Sequence, residues 1–302
     1  MVRRVDLEIL RGAVDTHAHA NPYVNEDLFH LDVFELARLG GEYGMDAIVI
    51  KNHFGSSCAQ AYLANKYAGG CRIIGGVVLN KAQGGFNAEA VKIASEFGVY
   101  NGVRPGLIVW MPERDSLHWA KVSGYPKEQW SRHLSPFKDA NPEGDLLPEA
   151  KDVLKAIAEC DMILNVNHLS PEEGLSILRH AKSYGITKTM LAHASGSQVG
   201  YNLEQEKQAA ELGALIEECP VIWQPVMQYF GFPVVDCKKE VIDHIREVGP
   251  QHYAFGSDGG HRQGPSHVEA LRQMIQLFLD DGFTEDEVRM MTSTNAKKLL
   301  GL

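Results

Sequence analysis

The chain has 302 residues, enough for one large domain or two small ones. At 44% hydrophobic and 23% charged residues it has the composition of a globular enzyme, which excludes a disordered chain. A formal net charge of −10, with no run of Lys or Arg, gives a nucleic-acid partner little electrostatic support.

The first predicted strand carries Ala13-Val-Asp-Thr-His-Ala-His-Ala20. In extended backbone Asp15, His17 and His19 share one face, because strand side chains alternate with period two. Two imidazoles so spaced at a strand end can reach one metal ion. A loop follows from Asn21 to Leu31. Asp32 then caps a helix with Val33, Phe34, Leu36, Ala37 and Leu39 at helical spacing, stopped by Gly40-Gly41. Asp46 to His53 is an apolar strand with a polar tip, on which Lys51 and His53 share a face with Ala47 and Val49. A helix over Ser56 to Tyr67 closes at Gly69-Gly70, and Arg72 to Asn80 is the third strand. Asn87 caps a helix to Phe97, with Gly98 behind it.

Gly106 to Pro112 is the fourth strand, and there the rhythm breaks. Residues 113–148 hold four prolines together with His118, Trp119, Trp130 and His133. A segment this long inside a compact domain is more often a functional loop than a plain connection, and it is expected to be a lid inserted in the domain.

From Pro148 the order returns. A helix to Glu159 precedes a strand, Met162 to His168. Ser170-Pro-Glu-Glu173 supplies an N-cap, a proline in the first turn and a capping-box Glu. Lys188 to His193 is strand six, Asn202 with Gln205 opens a helix stopped by Gly213, and Ala214 to Glu218 is strand seven. Asp236 to Val248 is helical, and Tyr253 to Asp258 is strand eight, its inner face reading Ala254, Gly256, Asp258. Helices over Ser266 to Asp281, from a capping box at Thr284 to Glu287, and over Asn295 to Leu300 complete the chain.

Eight nearly continuous apolar strands alternating with helices predict a parallel sheet buried on both faces. At this length the pattern predicts a single-domain α/β fold over 1–302, a distorted (β/α)8 TIM-type barrel with its long insertion after strand four. Five scattered cysteines without a Cys-x-x-Cys pair argue for a reducing compartment. The segment Met1 to Asp6 lacks the apolar core of a signal peptide, and no apolar run reaches the ~18 residues of a membrane span. The expected location is the cytoplasm, with no membrane partner and with a homo-oligomer left open.

In such a barrel the site lies at the C-terminal ends of the strands. His17, His19, His168, His193 and Asp258 all fall there, and imidazole with carboxylate suits zinc, manganese, iron or nickel. Asp258 is placed both as a ligand and as the base for a metal-activated water, and His193 either binds metal or polarises the substrate. Lys51, His53 and Glu113 are candidates for bridging two ions or touching substrate. His118 and His261 are candidate substrate contacts, whereas His30 and His267 suit solvated positions.

The set Asp15-Thr-His17-Ala-His19, His168, Leu-Ala-His193 and Gly256-Ser-Asp258-Gly-Gly resembles the amidohydrolase superfamily of metal-dependent hydrolases over nearly the whole chain. Met291 to Gly301 is similar to an ending common there, with Ala296 in place of the usual Pro, and the likeness points to an uncharacterised branch. The resemblance implies a distorted TIM barrel, one or two divalent metals, and activated water attacking an amide, ester or phosphoester of a small molecule. Mononuclear members also include decarboxylases and deaminases. A non-catalytic barrel that binds metal and ligand is a further alternative. One departure concerns the lysine that bridges two ions at the end of strand four in many members. Here the strand ends at Val109-Trp-Met-Pro112 and Glu113 is the carboxylate nearest that position.

Overall fold

The computed structural model describes residues 7–24, 28–100, 104–229 and 231–302. The opening segment, Met1 to Asp6, lies outside the described residues. Eight parallel strands run in sequential order: β1 (Val14–Ala18), β2 (Ala47–Ile50), β3 (Arg72–Val78), β4 (Gly106–Trp110), β5 (Ile163–Asn165), β6 (Thr189–Leu191), β7 (Leu215–Glu218) and β8 (Tyr253–Phe255). The helices between and after them are α1 (Val33–Glu42), α2 (Cys58–Tyr67), α3 (Ala88–Glu96), α4 (Leu117–Val122), α5 (Pro148–Glu159), α6 (Pro171–Ser183), α7 (Leu203–Glu211), α8 (Val226–Tyr229), α9 (Lys238–Val248), α10 (His267–Asp280), α11 (Glu285–Arg289) and α12 (Asn295–Leu300).

The seam of the ring is closed beyond the strands proper. Asp258 N donates to His17 O at 2.8 Å, and His19 N donates to Gly259 O at 3.1 Å. Eight parallel strands closed in this way form a (β/α)8 barrel.

Two apolar layers hold it. Inside the ring pack Val14, Ala47, Val49, Ile74, Val78, Trp110, Met190 and Ala254, and the base is stoppered by Ala296 and Leu300 of α12. Trp110 is 1% exposed and fills the ring centre, and burying a side chain of that size contributes on the order of 2–3 kcal/mol. The second, larger layer lies between the strands and the helices. Local signals agree with this packing. Capping boxes at Asp32 with Glu35, Ser170 with Glu173, Asn202 with Gln205 and Thr284 with Glu287 start four helices where the spacing places them.

Gly40 and Gly41, expected to stop α1, lie inside it. A Cβ on Gly40 would stand 2.4 Å from Cys71 Sγ, and one on Gly41 would stand 2.5 Å from Gly70 Cα. The pair is small so that helix and neighbouring turn can touch.

The strands also end earlier than their apolar runs. β5, β6 and β8 stop at Asn165, Leu191 and Phe255. Just beyond, Asn167, His193 and Asp258 take left-handed backbone, with φ of 51°, 29° and 42°. Side chains other than glycine rarely adopt that conformation, and such strain clusters at functional positions.

Residues 113–148 are built of α4 and two short 3-10 turns, Lys127–Arg132 and Lys138–Ala140. Phe137 and Leu146 from this segment are buried in the outer apolar layer. Among the described residues no helix is long and apolar enough to cross a membrane.

Candidate active site

At the C-terminal end of the ring His17, His19, Lys51, His53, Glu113, His168, His193 and Asp258 line one narrow mouth. β1 does not deliver its two imidazoles by plain alternation. Thr16 Oγ1 donates to Glu217 Oε2 at 2.7 Å, while His17 Nδ1, the next residue, donates to Glu217 Oε1 at 2.8 Å. Neighbouring residues reach the same carboxylate because the β1–β2 register shifts between Asp15 and Ala18. Asp15, expected to share the face of His17, turns instead to the seam. Its oxygens accept from Ser257 N at 2.8 Å and Ser257 Oγ at 2.6 Å, which fixes the turn carrying Asp258. Burial pushes the Asp15 carboxyl up to about 7 against the lowering effect of those bonds. Gly256 completes the arrangement, since a Cβ there would meet the Cβ of His17 at 2.7 Å.

The chemistry of the donors fits a divalent cation. Glu217 accepts from His17 Nδ1, and His17 Nε2 is buried with no hydrogen-bond partner, 3.5 Å from Asp258 Oδ1. His19 Nδ1 donates to Lys51 O at 2.9 Å, so its Nε2 lone pair faces the same Asp258 oxygen at 3.0 Å. Burial lowers the His17 imidazole, but Asp258 and Glu217 outweigh it and raise the ring above its ordinary value, so a proton, or a cation in its place, belongs between ring and carboxylate. A ring nitrogen anchored by a carboxylate or carbonyl, with the other one free, is how proteins prepare histidine ligands. The ligand atoms of His17, His193 and Asp258 lie within 4.8 Å of one another, as do those of His19, Asp258 and His261. Cys219 lies equally close to His17 and Glu217, but burial pushes its thiol well up and keeps it protonated. Burial also pushes the Asp258 carboxyl up, yet His17, His19 and His193 overcome it and hold the group well below the usual carboxylate range.

The opposite wall is a second cluster. Lys51 Nζ lies 3.2 Å and His53 Nε2 2.9 Å from Glu113 Oε2, and Lys51 Nζ also donates to Asn167 Oδ1 at 2.8 Å. Burial raises the Glu113 carboxyl, but His53, Lys51 and His168 hold it well below its ordinary value, so it is an anion beside a lysine. Tyr23 OH hydrogen-bonds His53 Nδ1. Asn167 Nδ2 donates to Met111 O at 2.7 Å and Ser116 Oγ to His168 O at 2.9 Å, tying the turn after β5 to that after β4. His168 Nε2 and His193 Nε2 face each other at 3.0 Å.

Of the remaining histidines, His261 lines the mouth and His118 does not. His118 is half-buried on α4 beside the backbone of Gln198 and Val199. His30 is exposed. His267, expected to be solvated, is 1% exposed and its Nε2 donates to His19 O at 2.9 Å, because α10 starts directly above the seam. Sequence reasoning missed Glu217, Asn167, Arg114, Trp119 and Gln198. For Glu217 the signal was present, since two adjacent carboxylates end an otherwise apolar buried strand.

A (β/α)8 barrel with His-x-His on its first strand, histidines after the fifth and sixth and an aspartate after the eighth has the fold found in amidohydrolase structures. Three solved structures illustrate the likeness. A variant of an organophosphorus hydrolase superposes with a TM-score of 0.61 at 15% identity, covering 98% of this chain and 94% of that one. A zinc-bound amidohydrolase from Burkholderia multivorans gives 0.59 at 12% identity, covering 96% and 99%. A prolidase complexed with N-methylphosphonate-L-proline gives 0.55 at 13% identity, covering 97% and 74%. Residues 12–217 match the family of unknown function DUF6282, and the chain belongs to that family. No curated protein matches it.

Proposed function

We propose that the protein is a metal-dependent hydrolase acting on an amide, ester or lactone, or phosphoester of a small molecule. The observation that carries this reading is the convergence of the Nε2 atoms of His17 and His19 on Asp258, with both Nδ1 atoms already held. His17, His19, His193 and Asp258 would hold a first divalent cation, for which zinc suits the donor set. A second ion would draw on His168 and Glu113. When bound, such an ion supplies Lewis acidity and lowers the pKa of a water. The chain's residues do the rest. Asp258 accepts the proton from the attacking water and returns it to the leaving group, while His193 orients the polarised oxygen. Lys51 fixes Glu113 and keeps it ionised. Segment 113–148 acts as a cover, supported by Trp119 of α4 lying 5.3 Å, ring to ring, from His168.

The five cysteines are free, which supports a reducing compartment such as the cytoplasm. Metal analysis joined to a hydrolase screen tests the reading. The purified protein should hold ~1–2 equivalents of a divalent transition metal, and replacing His17 and His19 together by Ala should strip it. Full occupancy in the double variant would remove the centre proposed here.

A further inference from the structure

Two polar residues of the mouth, Arg114 and Gln198, have no task in the chemistry above. Arg114 directly follows Glu113, and its Nε is buried with no hydrogen-bond partner. The nearest charge to it is Glu113 Oε1, 3.9 Å away and beyond hydrogen-bonding reach. That carboxylate is already matched by Lys51 and His53. Across the mouth, Asp258 faces the Nε2 atoms of His17 and His19 and is the carboxylate proposed for the first cation. Neither carboxylate therefore serves Arg114 Nε as a hydrogen-bond partner. The guanidinium carbon stands 5.7 Å from the ring centre of Trp119, which turns the fork along a flat apolar face.

Gln198, on the loop after β6, is 6% exposed and lines the same mouth. Its Oε1 has no hydrogen-bond partner, and its Nε2 finds only the thioether of Met227 at 3.6 Å. A buried amide left in this state has lost its water without replacing those hydrogen bonds, and a ligand atom would restore them. Trp119, Met227 and Phe232 form a small apolar cluster between the two polar groups.

We infer that the substrate carries an anionic oxyacid group, a carboxylate or a phosphate, beside its scissile bond. The group docks on the fork of Arg114, whose paired donors match two oxygens. Gln198 hydrogen-bonds a neutral polar atom of the substrate, and Trp119 covers the short carbon skeleton between. This rests on reading the mouth as a hydrolase site, and it adds the class of substrate.

The test uses the metal-loaded protein and three probes of one shape: N-acetylglycine, its neutral carboxamide N-acetylglycinamide, and (acetylamino)methylphosphonate. Calorimetry should show saturable binding of the anions, with the carboxamide at least tenfold weaker, and the tighter anion identifies the oxyacid. In Arg114→Gln the ratio of anionic to neutral affinity should fall close to one, and Arg114→Lys should lie between, with melting temperatures reporting that both variants fold. Equal binding of neutral and anionic probes, no saturable binding of either anion, or an unchanged ratio in Arg114→Gln would overturn the inference. Turnover of neutral amides without preference for anions sinks it and leaves the hydrolase reading standing. Saturable anion binding without turnover of any amide, ester or phosphoester supports it and removes the hydrolase.

Discussion

Glu217→Gln isolates how the mouth holds its first imidazole. Glu217 is fully buried, with one oxygen accepting from His17 Nδ1 at 2.8 Å and the other from Thr16 Oγ1 at 2.7 Å. Gln has nearly the same shape. Its oxygen can keep the bond from His17, and its amide can donate to the Thr16 hydroxyl, which rotates to accept. Packing and bond count survive, and only the negative charge behind the imidazole is lost. The bond to His17 becomes neutral, and Nε2 becomes a weaker donor to a cation. Loss of such a supporting carboxylate weakens metal affinity roughly 10–100-fold, equivalent to about 1.4–2.7 kcal/mol. Competition against a chelator of known affinity measures it, and thermal melting of the metal-free forms shows whether the fold is intact. An affinity within twofold of the unaltered protein, with normal melting, would refute the reasoning. Failure of the metal-free variant to fold would make Glu217 a structural residue instead.

Two further outcomes follow from the same geometry. Asp258→Asn should keep the fold and much of the metal while losing ~10²–10⁴ in turnover, because the amide can hydrogen-bond but cannot take the proton; a near-normal rate at full metal content would move the base role to His193. Removing the turn over Lys127–Arg132 should weaken ligand binding more than it lowers the melting temperature, and loss of folding would show that segment 113–148 is a packed wall and not a cover.

Much of the barrel is legible in the sequence because each strand announces itself locally, by a short apolar run ended by a polar residue and a cap. Lys51 and His53 show their inward direction in the same way, through alternation with Ala47 and Val49. What escapes is whatever depends on a neighbour distant in sequence. Glu217 matters only because its carboxylate reaches Thr16 and His17 of β1, the latter 200 positions away. Asp15 departs from its expected face because of a register shift set by the pairing with β2, which no window of sequence contains. Gly40 and Gly41 read as a stop although their small size serves a contact with residues 70 and 71. Arg114 and Gln198 stand out only once their missing partners can be seen.

The ring is fastened by residues to which the proposed reaction assigns a part. His19 and Asp258 lie 239 positions apart, and the backbone bonds that join first strand to last involve His17, His19 and Asp258, three of the residues proposed to hold the cation, together with Gly259. Contacts of such separation carry a large loop-closure entropy and form late in folding, so the mouth comes into being as the last stave of the barrel is set. A cation held across that joint acts as a clasp. Whatever it contributes by binding the closed ring and not the open chain is added to folding stability, so metal affinity and resistance to unfolding are linked through a single equilibrium. Selection for a looser grip on the ion would therefore also loosen the barrel.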